Sequence, residues 1–285
     1  MISNFINKYS DLAAYNADET KQYPNVSYLE TEDEVKWQAT EPIDQEHVVA
    51  KYNVVDTSNP TRIIDYAAYI DYMIVDGVRQ PSVSNNFTFS TTGEHKAKYK
   101  INSRWTSYSA FRSCYSLTSA TIPDNVTGIG SETFANCTGL TSVHIPSGAT
   151  SIDYNAFAYC TSLTSVTIPD GVTKIDNNAF DTCSGLTSVT IPDSVTDIRG
   201  NAFQNCSGLT TITIPDSVTS IGDSAFRKCK GLTSITVNAI TPPTMGVQVF
   251  NNTNDCPIYV PSASVNAYKA AGGWSTYASR IQAIQ

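Results

Sequence analysis

The sequence predicts a mainly β protein whose central part is a solenoid of 23-residue coils. Six of the seven cysteines recur at intervals of 23 residues, with a phenylalanine three residues before each and a leucine three residues after. A fixed period of this length is typical of a solenoid in which each repeat forms one coil. The cysteines of the series are Cys114, Cys137, Cys160, Cys183, Cys206 and Cys229.

Each coil has the pattern of a short strand followed by a turn. Leu186, Val189 and Ile191 have the spacing of a strand that points Val189 and Ile191 inward and Thr190 outward. Pro192 ends this strand, because proline has no amide hydrogen for the next ladder bond. We therefore expect the strands of successive coils to stack in a parallel sheet, at about 4.8 Å per coil, with a cover at each end.

The cysteine column admits three interpretations. Disulfides between coils are disfavoured, because ladder side chains point in parallel and each sulfur has two equivalent neighbours. Zinc is disfavoured, because four ligands must converge on one point and a column is a line. The prediction is buried, reduced thiols that fill space as small apolar groups, which suits a protein folded in a reducing cytoplasm.

The units LTSVTIPDGVTKIDNNAFDTCSG and LTTITIPDSVTSIGDSAFRKCKG resemble the BspA-like leucine-rich repeats of surface proteins in gut and oral bacteria. The resemblance implies a leucine-rich-repeat solenoid with a parallel β ladder, and a role in adhesion or ligand binding without catalytic residues. Val237-Asn238 replaces the Ile-Pro pair in the sixth coil, which indicates that the regular array ends there. The prolines of the first five coils are Pro123, Pro146, Pro169, Pro192 and Pro215.

The pattern divides the chain into four segments. Residues 1–44 are predicted to be an acidic N-terminal anchoring arm, since the first fifty residues hold ten acidic side chains and three lysines. Residues 45–104 are predicted to form a small β unit with alternating strands. Residues 105–237 form the solenoid, and residues 238–285 form a C-terminal cap with a short helix over VNAYKAA.

The N-terminal part resembles the leading segments of virion proteins in crAss-like and related tailed phages, which also carry BspA-like repeats. The resemblance rests on SDLAAYNADETKQYPNVSYLETEDEVKW and VDGVRQPSVSNNFTFSTTGEHKAKYK. It implies a non-enzymatic head fibre or decoration protein, assembled in the host cytoplasm and docked on other virion proteins. A solvated acidic segment is the alternative for the arm. The candidate anchoring residues are Tyr23, Tyr28, Glu32, Asp33 and Glu34.

A bacterial cell-surface adhesin of the BspA-like type is the alternative function. An adhesin needs an export leader, whereas a virion protein is released by lysis. The N-terminus has no apolar run of signal-peptide length and no stretch could span a bilayer, so we expect a virion protein without membrane insertion. Homo-oligomerisation is left open.

The outward strand positions form the candidate binding face. They make a regular row of hydroxyls, which is either solvated sheet or a surface suited to a host protein or glycan. The members of the row are Thr121, His144, Thr167, Thr190, Thr213 and Thr236.

Other ligand chemistry is weakly represented. The aspartates that follow the strand prolines could bridge calcium, but Pro-Asp also suits a tight turn. Each of the three histidines is interpreted as a surface residue, and no metal or cofactor is expected. The net charge of −8 disfavours a nucleic-acid partner.

Overall fold

The computed structural model describes residues 27–31, 34–38, 47–65, 70–101 and 109–285. The chain divides into two compact units, Met1–Asp44 and Gln45–Gln285. In the first unit, β1 (Ser27–Thr31) pairs antiparallel with β2 (Glu34–Gln38). The segment that lacks a clear period in the sequence therefore contains a two-stranded hairpin.

The second unit is built mainly from strands. Its only α-helix among the described residues is α1 (Val265–Ala270), which lies between 3-10 segments at Ser262–Ser264 and Trp274–Arg280. No helix in the described part of the chain has the length and hydropathy needed to cross a membrane. In chain order the strands are β3 (His47–Val54), β4 (Thr61–Arg62), β5 (Ile70–Val75), β6 (Val78–Arg79), β7 (Asn86–Phe87), β8 (Gly93–Ile101), β9 (Leu117–Thr121), β10 (Ser142–His144), β11 (Ser165–Thr167), β12 (Lys174–Ile175), β13 (Ser188–Thr190), β14 (Asp197–Ile198), β15 (Thr211–Ile214), β16 (Ser220–Ile221), β17 (Ser234–Val237), β18 (Thr244–Met245), β19 (Ile258–Val260) and β20 (Ile281–Ala283).

The coils form a β-solenoid with two parallel ladders, which confirms the predicted fold class. In the first ladder each residue of β11 lies beside the residue 23 positions later in β13, as Ser165 lies beside Ser188. The second ladder follows the turn after each strand and pairs Ile175 with Ile198 in the same register. Its strands are β12, β14, β16 and β18.

The coil stack continues beyond the point where the sequence period ends. β19 pairs in parallel with β17, and β18 pairs in parallel with β16, so another coil follows Val237. This coil is longer than the others: Phe250 follows Phe226 by 24 residues, and Cys256 follows Cys229 by 27. The insertions hide the coil from a strict 23-residue count, although its residues take the same places in the core.

The β strands before the repeats cover the first coil. β3 pairs antiparallel with β9, with Val49 opposite Thr121, and it pairs antiparallel with β8 along its other side. One sheet therefore runs in the order β10-β9-β3-β8-β5-β6. Because β3 occupies the outer edge of β9, the first coil has no unpaired strand edge on that side.

A stack of phenylalanine rings forms the axis of the core. Consecutive rings from Phe111 to Phe226 lie 5.3–5.4 Å apart and within 6° of parallel. Tyr99 meets the first ring edge-on at 5.4 Å, and Tyr277 meets Phe250 edge-on at 5.6 Å. Edge-to-face contacts are favourable for aromatic pairs, so a tyrosine closes the stack at each end.

Candidate binding face

The first ladder presents a regular outer face. Alternation along each strand buries one set of side chains and turns the next set outward, as β15 shows with Thr211 and Thr213 exposed and Ile212 and Ile214 buried. Of the six predicted face residues, four are exposed and the two at the ends are partly buried. The exposed residues are His144, Thr167, Thr190 and Thr213, and the partly buried ones are Thr121 and Thr236.

An open groove of about 790 Å³ crosses this face over the first three coils. Its walls come from β9, β10, β11 and the turns that follow β10 and β11. The groove brings together Thr121, His144 and Thr167, three of the predicted face residues, while Thr190, Thr213 and Thr236 lie on later coils outside it. The polar groups that line it are Ser119, Thr121, Ser142, His144, Ser147, Thr167 and Asp170.

A second row of threonines fixes the edge of the face. The Thr141 hydroxyl donates to the Thr118 carbonyl at 3.0 Å, and Thr187 repeats the contact with the carbonyl of Thr164 at 3.1 Å. The same bond joins further pairs of neighbouring coils, each time across 23 residues. The recurrence of threonine at this position is a sequence signal for these bonds, but the sequence analysis does not use it.

The cysteine column is free and buried, as predicted. The thiols do more than fill space, because the Cys183 Sγ–H donates to the Phe157 carbonyl at 3.1 Å and the other coils repeat this contact. Burial raises the pKa of the Cys137 thiol and of the Cys229 thiol to about 12. The column therefore stays protonated and unreactive at neutral pH.

The aspartate column occupies tight turns. The Val195 amide donates to the Pro192 carbonyl, three residues earlier, so Asp193 stands inside a four-residue turn. The coils around Val126, Val172 and Val218 have the same bond. This geometry accounts for Pro-Asp without an ion. In the described part of the chain, no three His, Cys, Asp or Glu side chains converge as a metal site.

His95 is a correction to the surface position expected from the sequence. Its ring is only 9% exposed, and both ring nitrogens lie near acceptors: Asp76 Oδ2 at 2.7 Å and the Thr91 carbonyl at 2.9 Å. Burial alone would lower the pKa of His95, but the Asp76 carboxylate and the Thr91 carbonyl outweigh it and raise the pKa. His95 is thus a structural clamp inside the second unit.

The candidate anchoring residues are divided by the extent of the description. Tyr28 lies in β1 and Glu34 is the first residue of β2. Tyr23, Glu32 and Asp33 lie outside the described residues. The structure therefore does not test their predicted role.

Stacked 23-residue coils with a strand and a turn in each define this protein as a leucine-rich-repeat solenoid. The BspA type leucine rich repeat region matches in six copies over residues 104–233 and 150–270, and the chain belongs to this family. The family match begins at residue 104 and so leaves the resemblance of the N-terminal part to virion proteins untested. No curated protein matches the chain.

Several solved structures are similar to this chain. TpLRR, the leucine rich repeat protein of T. pallidum, is 30% identical, with 53% of this chain and 70% of that chain covered and a TM-score of 0.49. A leucine-rich repeat protein from Bacteroides ovatus is 24% identical, with 61% of each chain covered and a TM-score of 0.32. A leucine rich cell surface protein from Faecalibacterium prausnitzii is also 24% identical, with 61% of each chain covered and a TM-score of 0.33.

Proposed function

We propose that this chain is a non-enzymatic binding module that recognises a surface ligand through the outer face of its first ladder. The groove over the first three coils carries the proposal, because it gathers hydroxyl groups and His144 on adjacent strands. Concave sites with a few fixed polar groups are the usual places where proteins hold ligands. Membership of a repeat family with a binding fold supports the same role.

The face is suited to binding because its backbone is held rigid before any ligand arrives. Threonine hydroxyls tie each coil to its neighbour, and the phenylalanine stack holds the coils at a constant spacing. A surface that is already ordered loses less conformational entropy when it binds. The outward side chains therefore act as a fixed array of donors and acceptors.

A pair of threonine variants tests the role of the face. Thr167 and Thr173 are both exposed and belong to the same coil, but Thr167 lines the groove and Thr173 does not. Thr167→Arg should abolish binding of the protein to mucin or to bacterial cells, because the long cation fills the groove, and Thr173→Arg should leave binding unchanged. Equal binding by both variants and the unmodified protein would contradict the proposal.

The carrier of this module has two candidates. The resemblance of the N-terminal part supports a tailed-phage particle, on which residues 1–44 would attach the module as a head fibre or decoration protein. Membership of the BspA-type family supports a bacterial cell surface. An antibody against the folded protein distinguishes the two, by labelling purified phage particles or intact bacterial cells.

A further inference from the structure

The sheet that carries the groove continues onto two strands rich in lysine. Because β9, β3 and β8 are neighbours in one sheet, their outward residues form rows that cross the strands. Ser119 lies opposite Lys51, and Lys51 lies opposite Lys96. On the other side of β9, Ser119 lies beside Ser142. One row therefore runs from two lysines into the serines of the groove, at about 4.8 Å per strand.

The lysines of β8 all lie on this face. Lys96, Lys98 and Lys100 alternate with the buried residues His95, Ala97 and Tyr99. The chain has a net charge of −8 and 18 basic residues in all. With Lys51, four of these residues lie on the outer face of two neighbouring strands, so this face is strongly basic in an acidic protein.

The arrangement of Lys51 and Lys96 does not serve the stability of the sheet. Like charges directly opposite one another on neighbouring strands are destabilising. Lys51 also contacts the Glu94 carboxylate at 3.1 Å, but the two side chains are 42% and 66% exposed. Exposed ion pairs of this kind contribute little, so a carboxylate from a ligand can take the place of Glu94 at small cost.

The groove next to these lysines is suited to a sugar rather than to a protein side chain. Its polar lining consists of hydroxyls, His144 and Asp170, and its apolar lining contains no aromatic ring. Protein interfaces draw most of their binding energy from tryptophan, tyrosine and arginine, and the groove offers none of them. Hydroxyls and an imidazole instead pair with the many hydroxyls of a glycan.

The charge of the groove changes sign along its length. Lys51 and Lys96 lie beside its first coil, whereas Asp170, the one carboxylate in the lining, lies in the third coil. A ligand with anionic groups along its whole length would meet Asp170 and the exposed aspartates of later coils, Asp193 and Asp216. A ligand with one acidic end avoids this repulsion.

We infer that the ligand is a glycan with an acidic terminal sugar, whose carboxylate or sulfate ester pairs with Lys51 and Lys96 while its neutral sugars lie over the groove. This inference rests on the proposed function, since it uses the same face. It adds the chemical class of the ligand and its direction along the solenoid. The acidic end lies over β3 and β8, and the neutral end points toward the third coil.

Matched oligosaccharides test the inference with the full chain. The probes are a neutral oligosaccharide, the same oligosaccharide ending in a uronic or sialic acid, and its terminally sulfated form. We expect the acidic forms to bind about tenfold more tightly than the neutral form, as charged hydrogen bonds imply. The Lys51→Gln/Lys96→Gln variant should lose this preference and keep the affinity for the neutral form. The control Lys230→Gln/Lys269→Gln removes the same charge from exposed sites outside the sheet and should retain the preference.

The outcomes separate this inference from the proposed function. Equal binding of neutral and acidic forms, with loss of both in Thr167→Arg, would overturn the inference and keep the proposed function. A polysulfated glycan or single-stranded DNA that binds more tightly than the acid-terminated form would also overturn it, because Asp170 would then have no influence. Loss of all binding in the double lysine variant at an unchanged melting temperature would show that the lysines do not select the acidic group. Absence of any Thr167-sensitive binding would count against the proposed function itself.

Discussion

Two residues in every coil have a left-handed backbone conformation. They stand two positions before and two positions after the phenylalanine, as Ser224 and Lys228 do around Phe226. Asparagine adopts this conformation at lower cost than other non-glycine residues, and Asn136 and Asn205 hold the position of Lys228 in other coils. The sequence therefore contains its own guide to which residue suits each turn.

Lys228→Asn should stabilise the protein by about 0.5–1 kcal/mol, because asparagine relieves the strain of a lysine at φ 62°. Thermal or denaturant unfolding measures the change. Lys230→Asn is the control, since it removes the same charge at a neighbouring position that is not left-handed. An equal gain from both substitutions would assign the effect to charge and not to the backbone.

The buried thiols should make the protein sensitive to alkali. Burial raises the pKa of Cys137 and Cys229 to about 12 from a model value of 9.0, so the folded chain holds these protons more tightly than the unfolded chain. This contribution to stability is complete below about pH 9 and is lost as the pH rises toward 12. The free energy of unfolding should therefore fall above pH 9, and thiol titration at pH 8 should detect almost no groups before denaturation and seven after it. Disulfides between neighbouring coils would contradict this prediction.

At the scale of elements, His95 joins three parts of the N-terminal sheet. Asp76 ends the β5 side of the hairpin and accepts hydrogen bonds from the His95 ring and from the Lys96 amide, while Thr91 lies in the loop before β8. The Phe89 ring packs against the imidazole at 4.2 Å. Protonation of one histidine thus affects a hairpin, a loop and a strand together.

Removal of the Asp76 carboxylate should cost more stability at low pH than at high pH. The pKa of His95 is raised in the folded state, so its contribution is complete below the unfolded pKa of about 6.5 and is lost as the pH rises through the folded pKa. Asp76→Asn should therefore be more destabilising at pH 5.5 than at pH 8.5, as measured by urea unfolding. The same penalty at both values would show that the imidazolium is not part of the clamp.

The sequence predicts some elements better than others, for physical reasons. The parallel ladder follows from alternation and from proline, which act within a few residues, and the 23-residue period repeats the evidence six times. The coil after Val237 departs from the period, although its core residues keep their roles, so counting alone ends the array too early. His95 shows the same limit: its partner Asp76 is 19 residues away, and only the pairing of β5 with β8 brings them together.

The candidate face is predictable in part. Periodicity places the outward threonines and His144 in one row, and the structure has that row. Periodicity cannot show that the row continues onto β3 and β8, because those strands are antiparallel and lie outside the repeat. The lysines therefore enter the site only through the topology of the sheet.

At the scale of the whole molecule, the solenoid depends on covers at both ends. β3 occupies the outer edge of the first coil, and the C-terminal segment covers the last one. Trp274 is fully buried and donates its indole N–H to the Pro243 carbonyl at 2.8 Å, and the Tyr268 hydroxyl donates to the Ala239 carbonyl at 2.7 Å. These bonds satisfy carbonyls of the last coil that no further coil could reach.

Removing the C-terminal cover should therefore harm the protein more than removing an internal coil. Deletion of residues 261–285 exposes the Phe250 ring and the edge of β19, whereas deletion of residues 165–187 joins Thr164 to an identical Ser-Val-Thr strand and keeps both covers. Stability in such stacks is close to a sum over coils and interfaces, so the shorter solenoid should unfold cooperatively at a lower temperature. The uncovered chain should lose cooperativity and associate, because an open strand edge beside apolar side chains pairs with other chains. Calorimetry with light scattering measures both effects, and a soluble, cooperative chain ending at residue 260 would show that the covers are not required.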